Sequence, residues 1–399
     1  MNGIHQLRPN EVEQFIRLSE FAFQYELTEE QRAKRVAALK PEELWGYYSE
    51  GKLAAKLHLM PYSIWIGGKE VSMGGIASVS TWPEYRRSGY VGKLLANSFA
   101  VMRENGMLVS MLHPFSIPFY RKYGYEIYVD RKQYEVELAQ FPRFAERSGH
   151  IERTEDLELL NSIYEQYAKT YNGMLKRSED RWKSRISEMK RIKAVWYNEG
   201  GEPRGYICFN VKDNEMHVDE FVCLDEQTRR ALWTFIDNHD SMIGKVHITA
   251  PADDELAYLM PNPRFKQELI PYFMARIVDA PAFIKQYSFE AIGKMTKIVL
   301  HLEDQQAEWN RGSFLLTVDE NGVAQIEPYE GLSLPLLQAK ETDPSVGISC
   351  DIKALTAILF GYQKPRLLHK AGVLKGTTEE IRAFSQLLPE MATCLFDYF

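Results

Sequence analysis

The chain has 399 residues, 45% of them hydrophobic and 26% charged, with a formal net charge of -7. That length exceeds one ordinary core and suggests about three domains of ~100 to 200 residues each, while the composition excludes disorder and collagen-like structure. The mild acidity argues against a surface built to neutralise a phosphate backbone, so no nucleic-acid partner is expected and cationic small molecules are favoured.

The opening, MNGIHQLRPNEVEQF, lacks a basic region followed by an apolar stretch and a small-residue cleavage site, so it is not a signal peptide. No run reaches the ~18 apolar residues of a spanning helix, and a cytoplasmic protein without membrane partners is expected. The cysteines Cys208, Cys223, Cys350 and Cys394 are scattered, with no CxxC and no histidine at ligand spacing. They read as reduced thiols, and no metal is expected.

The apolar spacing of Val12, Phe15, Ile16 and Phe23 predicts a helix from about Asn10 to Tyr25. Thr28 followed by Gln31 starts a second helix with a capping box. The period then changes to alternation from Leu44 to Pro83, with turns at Glu50-Gly51 and Gly67-Gly68, which predicts three or four antiparallel strands. Val91, Leu94, Leu95, Phe99 and Met102 predict a helix from Gly89 to about Asn105. The short strand MLVSML and then PFSIPFYRKYGYEIY, a helix and a strand, complete one α/β unit near Ser148.

A second unit repeats the helix-pair-then-strands order, with a hairpin turning at Gly200-Gly201. This suggests an internal duplication. The copy has no Arg-Arg-x-Gly step before its later helix, EQTRRALWTFIDNH, so it is expected to have lost its site. Amphipathic strands and then helices from Asp351 onward form a third unit from about Asp279, whose last helix is expected to lead straight into the final residues, LFDYF. Chain ends are usually polar and exposed. Three aromatics in the last four residues predict an end tucked into a pocket, where its carboxylate must be paired, hydrogen-bonded or chemically used.

The segment that carries chemistry is GGIASVSTWPEYRRSGYVGKLLANSF, Gly74 to Phe99: a strand, a basic turn and a helix. The outward N–H groups of a helix N-terminus make an anion site, to which Arg86 and Arg87 add charge. Gly89 lets backbone approach a phosphate without a Cβ in the way. Such a turn can equally cap a surface helix. The buried strands before and after it favour the anion reading, and the geometry suits a pyrophosphate.

Arg86-Arg87-Ser88-Gly89-Tyr90-Val91 resembles motif A of the GNAT superfamily of N-acetyltransferases, Gln/Arg-x-x-Gly-x-Gly/Ala, with Val91 departing at the last position. Together with Leu112-His113, FYRKYGY at Phe119 to Tyr125, the second GNAT-like unit and a sterol-carrier-like third unit, the chain resembles the enhanced-intracellular-survival family of acetyltransferases over essentially its whole length. The resemblance implies a mixed α/β fold with tandem GNAT-like domains, at 1–148 and 149–279, followed by a sterol-carrier-protein-like domain at 280–399. It implies transfer from acetyl-CoA to a small-molecule or peptide amine in a ternary complex, by a homo-oligomer of trimers paired into hexamers.

By the same resemblance, the terminal carboxylate of Phe399 enters the first domain as general base and Tyr120 is the general acid. Val79, Ser80 and Thr81 present strand backbone to the thioester and pantetheine arm, and Arg86, Arg87, Gly89, Tyr90 and Val91 hold the pyrophosphate. A phenol of pKa ~10 can protonate a thiolate without being ionised at neutral pH. An α-carboxylate of pKa ~3.5 is a weak base and is expected to act through water. His113 is expected to order its loop, Tyr123 and Tyr125 to belong to the core, and Glu26, Asp397, Phe23, Tyr25 and Trp45 to line an amine pocket. The alternatives are a carrier for apolar ligands through the third unit and a tandem GNAT-like acyl or aminoacyl transferase.

Overall fold

The structure, a computed structural model, describes residues 2–144, 146, 148–189, 191–329 and 347–399. The chain starts with a short strand that the sequence pattern does not announce, β1 (Gly3–Gln6). The two expected helices follow at Val12–Phe23 and Glu29–Ala38, the second capped reciprocally by Thr28 and Gln31. The meander is β2 (Leu44–Ser49), β3 (Lys52–Ile66) and β4 (Lys69–Thr81). Its turns fall at the two expected dipeptides, each with both residues at positive φ: Glu50 and Gly51 at 53° and 77°, Gly67 and Gly68 at 56° and 70°. Paired left-handed residues match the twist of antiparallel strands.

Helix Tyr90–Glu104 then leads to β5 (Val109–Leu112), and helix Ile117–Arg121 to β6 (Glu126–Glu137). Further along lie β7 (His150–Arg153), β8 (Leu175–Lys176), β9 (Ile192–Tyr197), β10 (Pro203–Lys212), β11 (Glu215–Cys223), β12 (Lys245–Pro251) and β13 (Lys266–Ile277). These strands form one sheet, ordered β1-β2-β3-β4-β5-β13-β6-β12-β11-β10-β9-β7, with β8 added to β3. The two α/β units therefore interleave. β13, late in sequence, is inserted between β5 and β6, and β6 pairs onward with β12.

The third unit carries a separate four-stranded sheet of β14 (Thr296–Glu303), β15 (Gly312–Val318), β16 (Ala324–Pro328) and β17 (Ile348–Asp351), with helices Ile352–Leu359, Pro365–Lys370 and Thr378–Gln386. Its apolar side is continuous with the large sheet: Ile298, Leu300, Leu316 and Leu355 share a core with Ile64, Met73, Val109 and Phe273. A buried ion pair crosses this junction, Arg276 Nη2 to Asp304 Oδ2 at 2.5 Å. The expected direct passage from the last helix into LFDYF does not occur. That helix ends at Gln386, and Pro389 lies in an extended run that carries the chain out of the third unit.

Candidate active site

The basic turn occupies residues 82–89, between β4 and helix Tyr90–Glu104. Arg87 and Gly89 both take left-handed conformations, φ 66° and 74°, and no side chain caps this helix start. Its first N–H groups are thus left to an external acceptor. Space opens above Gly89, where an added Cβ would meet nothing within 4 Å. Arg86 and Arg87 are exposed and take part in no ion pair among the described residues. Tyr90 packs by its side chain, its ring 3.9 Å from that of Tyr47. Val91 packs into the first unit's core, and the close approach its position fails to provide passes to the next residue. A Cβ on Gly92 would lie 2.9 Å from the Tyr123 hydroxyl, a constraint the sequence motif misses by one position.

β4 splays from its neighbour just before this turn. It pairs with β5 in parallel only from Met73 to Ile76, and Ala77 to Thr81 continue with no strand partner on that side among the described residues. A bulge accompanies the splay: the register on β3 jumps from Ser80 opposite Lys56 to Ala77 opposite His58, with Ser78 at φ 51°. The N–H of Trp82 donates to Ala54 O on the β3 side. Strand alternation therefore turns the N–H groups of Val79 and Thr81 to the open edge and that of Ser80 inward. The cleft and the uncapped helix start lie end to end. This is a donor set that fits a diphosphate continued by an amide-bearing arm.

The final residues run to the middle of the same strand. The Phe399 ring lies against Gly75, where a Cβ would stand 2.9 Å from its Cε2, and its centroid is 5.3 Å from Tyr62 and 4.9 Å from Phe273. The tail is anchored by backbone and charge. Asn172 N–H donates to Ala392 O at 2.9 Å, and Cys394 N–H donates to Asn172 O at 3.2 Å. The Asn172 side chain accepts from Gly67 N–H and donates to Phe360 O, which joins the three units at one residue. Arg131 donates to Phe396 O, Tyr272 to Asp397 O and Arg181 to Tyr398 O. A register break in β13 between Pro271 and Phe273 sets Tyr272 apart from the ladder, and its hydroxyl serves this contact.

Asp397, expected in the amine pocket, is instead fully buried between Arg177 at 2.9 Å and Arg181 at 3.2 Å. Arg177 also binds Glu220 at 2.7 Å, and Glu220 accepts from Tyr206 at 2.6 Å. Burying one carboxylate among two guanidiniums is tolerable because every charge has a partner. Phe23 and Glu26 are exposed, whereas Tyr25 and Trp45 are half-buried.

Tyr120 sits in the aromatic helix Ile117–Arg121 with its ring buried against Phe115, Phe119 and Tyr125. Burial, with Tyr125 beside it, pushes its phenol above the ordinary value, so it is protonated throughout the neutral range. Its hydroxyl makes no hydrogen bond among the described residues, whereas that of the fully buried Tyr125 is tied to Ser110 Oγ at 2.7 Å. His113 borders the tail, its ring 5.0 Å from Tyr398 and 5.4 Å from Phe273. Burial and the nearby Arg131 lower its pKa, which leaves it neutral at pH 7.

The second unit repeats strand, helix and parallel strand as β11, Glu226–Asp237 and β12. Here the connection is only residues 224–225, and the Asp225 side chain accepts from Thr228 N–H at 2.8 Å. This helix start is closed by its own carboxylate. The adjoining cleft has a volume of about 130 Å³ and is lined by residues including Tyr167, Tyr171, Phe221 and Trp233.

Comparison with known proteins finds matches to three domains. Residues 3–128 and 173–277 each match an acetyltransferase (GNAT) domain, and residues 280–395 match a sterol carrier protein domain. An uncharacterized N-acetyltransferase of Streptomyces avermitilis is 22% identical over 366 residues, 84% of this chain and 83% of its own. Among solved structures, a conserved protein of unknown function from Enterococcus faecalis, described as a probable N-acyltransferase, is 25% identical with a TM-score of 0.89 over 99% of both chains. Eis1 from Mycobacterium abscessus shares the fold over all of both chains, with a TM-score of 0.82 at 18% identity. The chain is thus built from tandem GNAT domains and a C-terminal sterol carrier protein domain, and it is an N-acetyltransferase of the class that takes its acetyl group from acetyl-CoA.

Proposed function

We propose that the first domain acetylates a primary amine by direct transfer, with Tyr120 as general acid and the α-carboxylate of Phe399 as general base. The observation that carries this reading is the seating of the Phe399 ring on Gly75, at the strand whose splayed continuation presents Val79 and Thr81. Acetyl-CoA supplies an activated acetyl group as a thioester. Arg86, Arg87 and the N–H groups following Gly89 would hold its diphosphate, and the outward N–H groups of Val79 and Thr81 its arm, while Ser80, which faces β3, would only support that edge. The Phe399 carboxylate takes a proton from the incoming amine through water, and Tyr120 delivers a proton to the departing sulfur as it gains charge. The mild acidity of the chain suits a cationic acceptor: an aminoglycoside-like amine, a polyamine or a lysine side chain.

The cysteines are free, as a reducing cytoplasm would keep them. A homo-oligomer of trimers paired into hexamers is part of the same reading, and light scattering measures it directly. A carrier role would draw on the groove of about 1070 Å³ between helices Pro365–Lys370 and Thr378–Gln386, which LFDYF leaves open by running out of that unit. Calorimetric titration with acetyl-CoA, longer acyl-CoAs and fatty acids separates these readings. Acetyl-CoA binding followed by thiol release with an amine panel supports transfer, whereas binding of fatty acids alone overturns it.

A further inference from the structure

The interleaved sheet gathers three metal-ligating side chains far from the acetyl-transfer site. On β11, residues Glu215, His217 and Asp219 share one face by alternation, and the parallel register sets His217 directly opposite His247 on β12. The two imidazoles stack, centroids 4.6 Å apart and 4° from parallel. Both Nε2 atoms converge on one oxygen: His247 Nε2 is 3.0 Å and His217 Nε2 3.5 Å from Glu215 Oε2, and all three ligand atoms lie within 4.8 Å of one another.

Those separations have a specific meaning. Ligands ~2.0 to 2.1 Å from a tetrahedral ion are separated by about 3.3 Å, between the two values found here. The local charges are also arranged to leave Glu215 to the histidines. Lys245, its register partner, turns away to Glu135 at 2.8 Å and Glu137 at 3.3 Å. Arg191 is taken by Asp219. The cluster opens on a polar groove of about 350 Å³ lined also by Lys266 and Glu268, with Glu135 and Asp219 already paired to Lys245, Lys266 and Arg191.

We propose that Glu215, His217 and His247 bind one divalent transition-metal ion of the zinc, cobalt or nickel kind, with its remaining position facing the groove. Two imidazoles and a carboxylate select such ions over magnesium or calcium, which prefer all-oxygen cages. Three protein ligands leave a place for water or a groove-borne ligand.

The test uses untagged full-length protein stripped with a chelator and titrated with Co²⁺, whose visible absorption reports tetrahedral coordination. The expected result is one Co²⁺ per chain, displaced by Zn²⁺, with affinity at least about tenfold lower in His217→Ala and in His247→Ala. His150→Ala, which removes an exposed histidine paired with Glu152, should bind as the parent does. Glu215→Gln, nearly isosteric, is the variant to use if an alanine variant fails to fold, and it too should bind weakly. Absence of Co²⁺ binding, or binding unchanged in the His217, His247 and Glu215 variants, overturns the proposal and leaves the cluster as one histidine–carboxylate hydrogen bond with a second imidazole stacked beside it.

Discussion

Asp397 Oδ2 lies 2.9 Å from Arg177 Nε, with both side chains fully buried, so the tail that carries Phe399 is held by charges from the second unit while its last ring enters the first. The second unit, whose own helix start is closed by Asp225, thereby acts as the mount for the first unit's site. Removing one partner of a buried ion pair costs about 3 to 5 kcal/mol, because the other charge is left uncompensated. Asp397→Ala is expected to lower the melting temperature, to expose the tail to carboxypeptidase and to reduce acetyl transfer. Phe399→Ala, which removes a half-buried ring but no charge, should lower the melting temperature less. Equal melting temperatures for Asp397→Ala and the parent would mean that Arg181 and the backbone contacts suffice.

Arg86 and Arg87 flank an uncapped helix start, and each charge-assisted hydrogen bond to a phosphate contributes ~1.5 to 3 kcal/mol. The double alanine variant should bind acetyl-CoA at least about a hundredfold more weakly by calorimetry, with its circular dichroism unaltered, because both side chains are exposed. Unchanged affinity would remove the diphosphate reading.

Tyr120→Phe keeps the ring that packs against Phe115 and Phe119 and deletes only the hydroxyl. Turnover should fall ~100-fold or more while acetyl-CoA affinity is nearly kept. Steady-state rates within a factor of two of the parent would return Tyr120 to a packing role.

Lys56, opposite Ser80 on β3, is fully buried, donates to Ser19 Oγ at 2.5 Å and lies over the Phe15 ring. Burial, with Arg35 contributing, holds its pKa well below 10.5. The unfolded chain therefore binds a proton that the folded chain resists. Stability contributed at this site is lost as pH falls from the unfolded value towards the folded one, and is recovered as pH rises. Lys56→Met should be more stable than the parent at neutral pH, with the difference shrinking towards pH ~10. A pH-independent difference in denaturant midpoint would show that Lys56 is neutral in both states or charged in both.

Local chemistry was legible in the sequence and distant pairing was not. The two Gly-bearing hairpin turns, the Thr28 cap and the basic turn before Tyr90 depend on residues a few positions apart, and each stands where its pattern places it. The β1 strand is too short to show a period. The insertion of β13 between β5 and β6 has no local signature, because its buried half, Tyr272 to Ile277, reads alike in any sheet position. Asp397 looked like a pocket acid because its partner Arg177 is 220 residues away. Gly92 and Gly75 declare themselves only once Tyr123 and Phe399 are seen against them.

The measurement that bears most directly on the proposed chemistry is the acetyl-transfer rate of protein extended by a few residues beyond Phe399, beside Phe399→Ala and a chain lacking Phe399. An extension converts the carboxylate to an amide and must find room beside Gly75 and Tyr62. Deleting Phe399 moves the carboxylate by ~3.5 Å of chain, more than proton transfer tolerates, whereas Phe399→Ala keeps it in register. The account predicts that the extended protein binds acetyl-CoA and melts as the parent does but is inactive, and that the deletion loses more turnover than Phe399→Ala. A fully active extended protein would contradict it and leave the aromatic tail as packing alone.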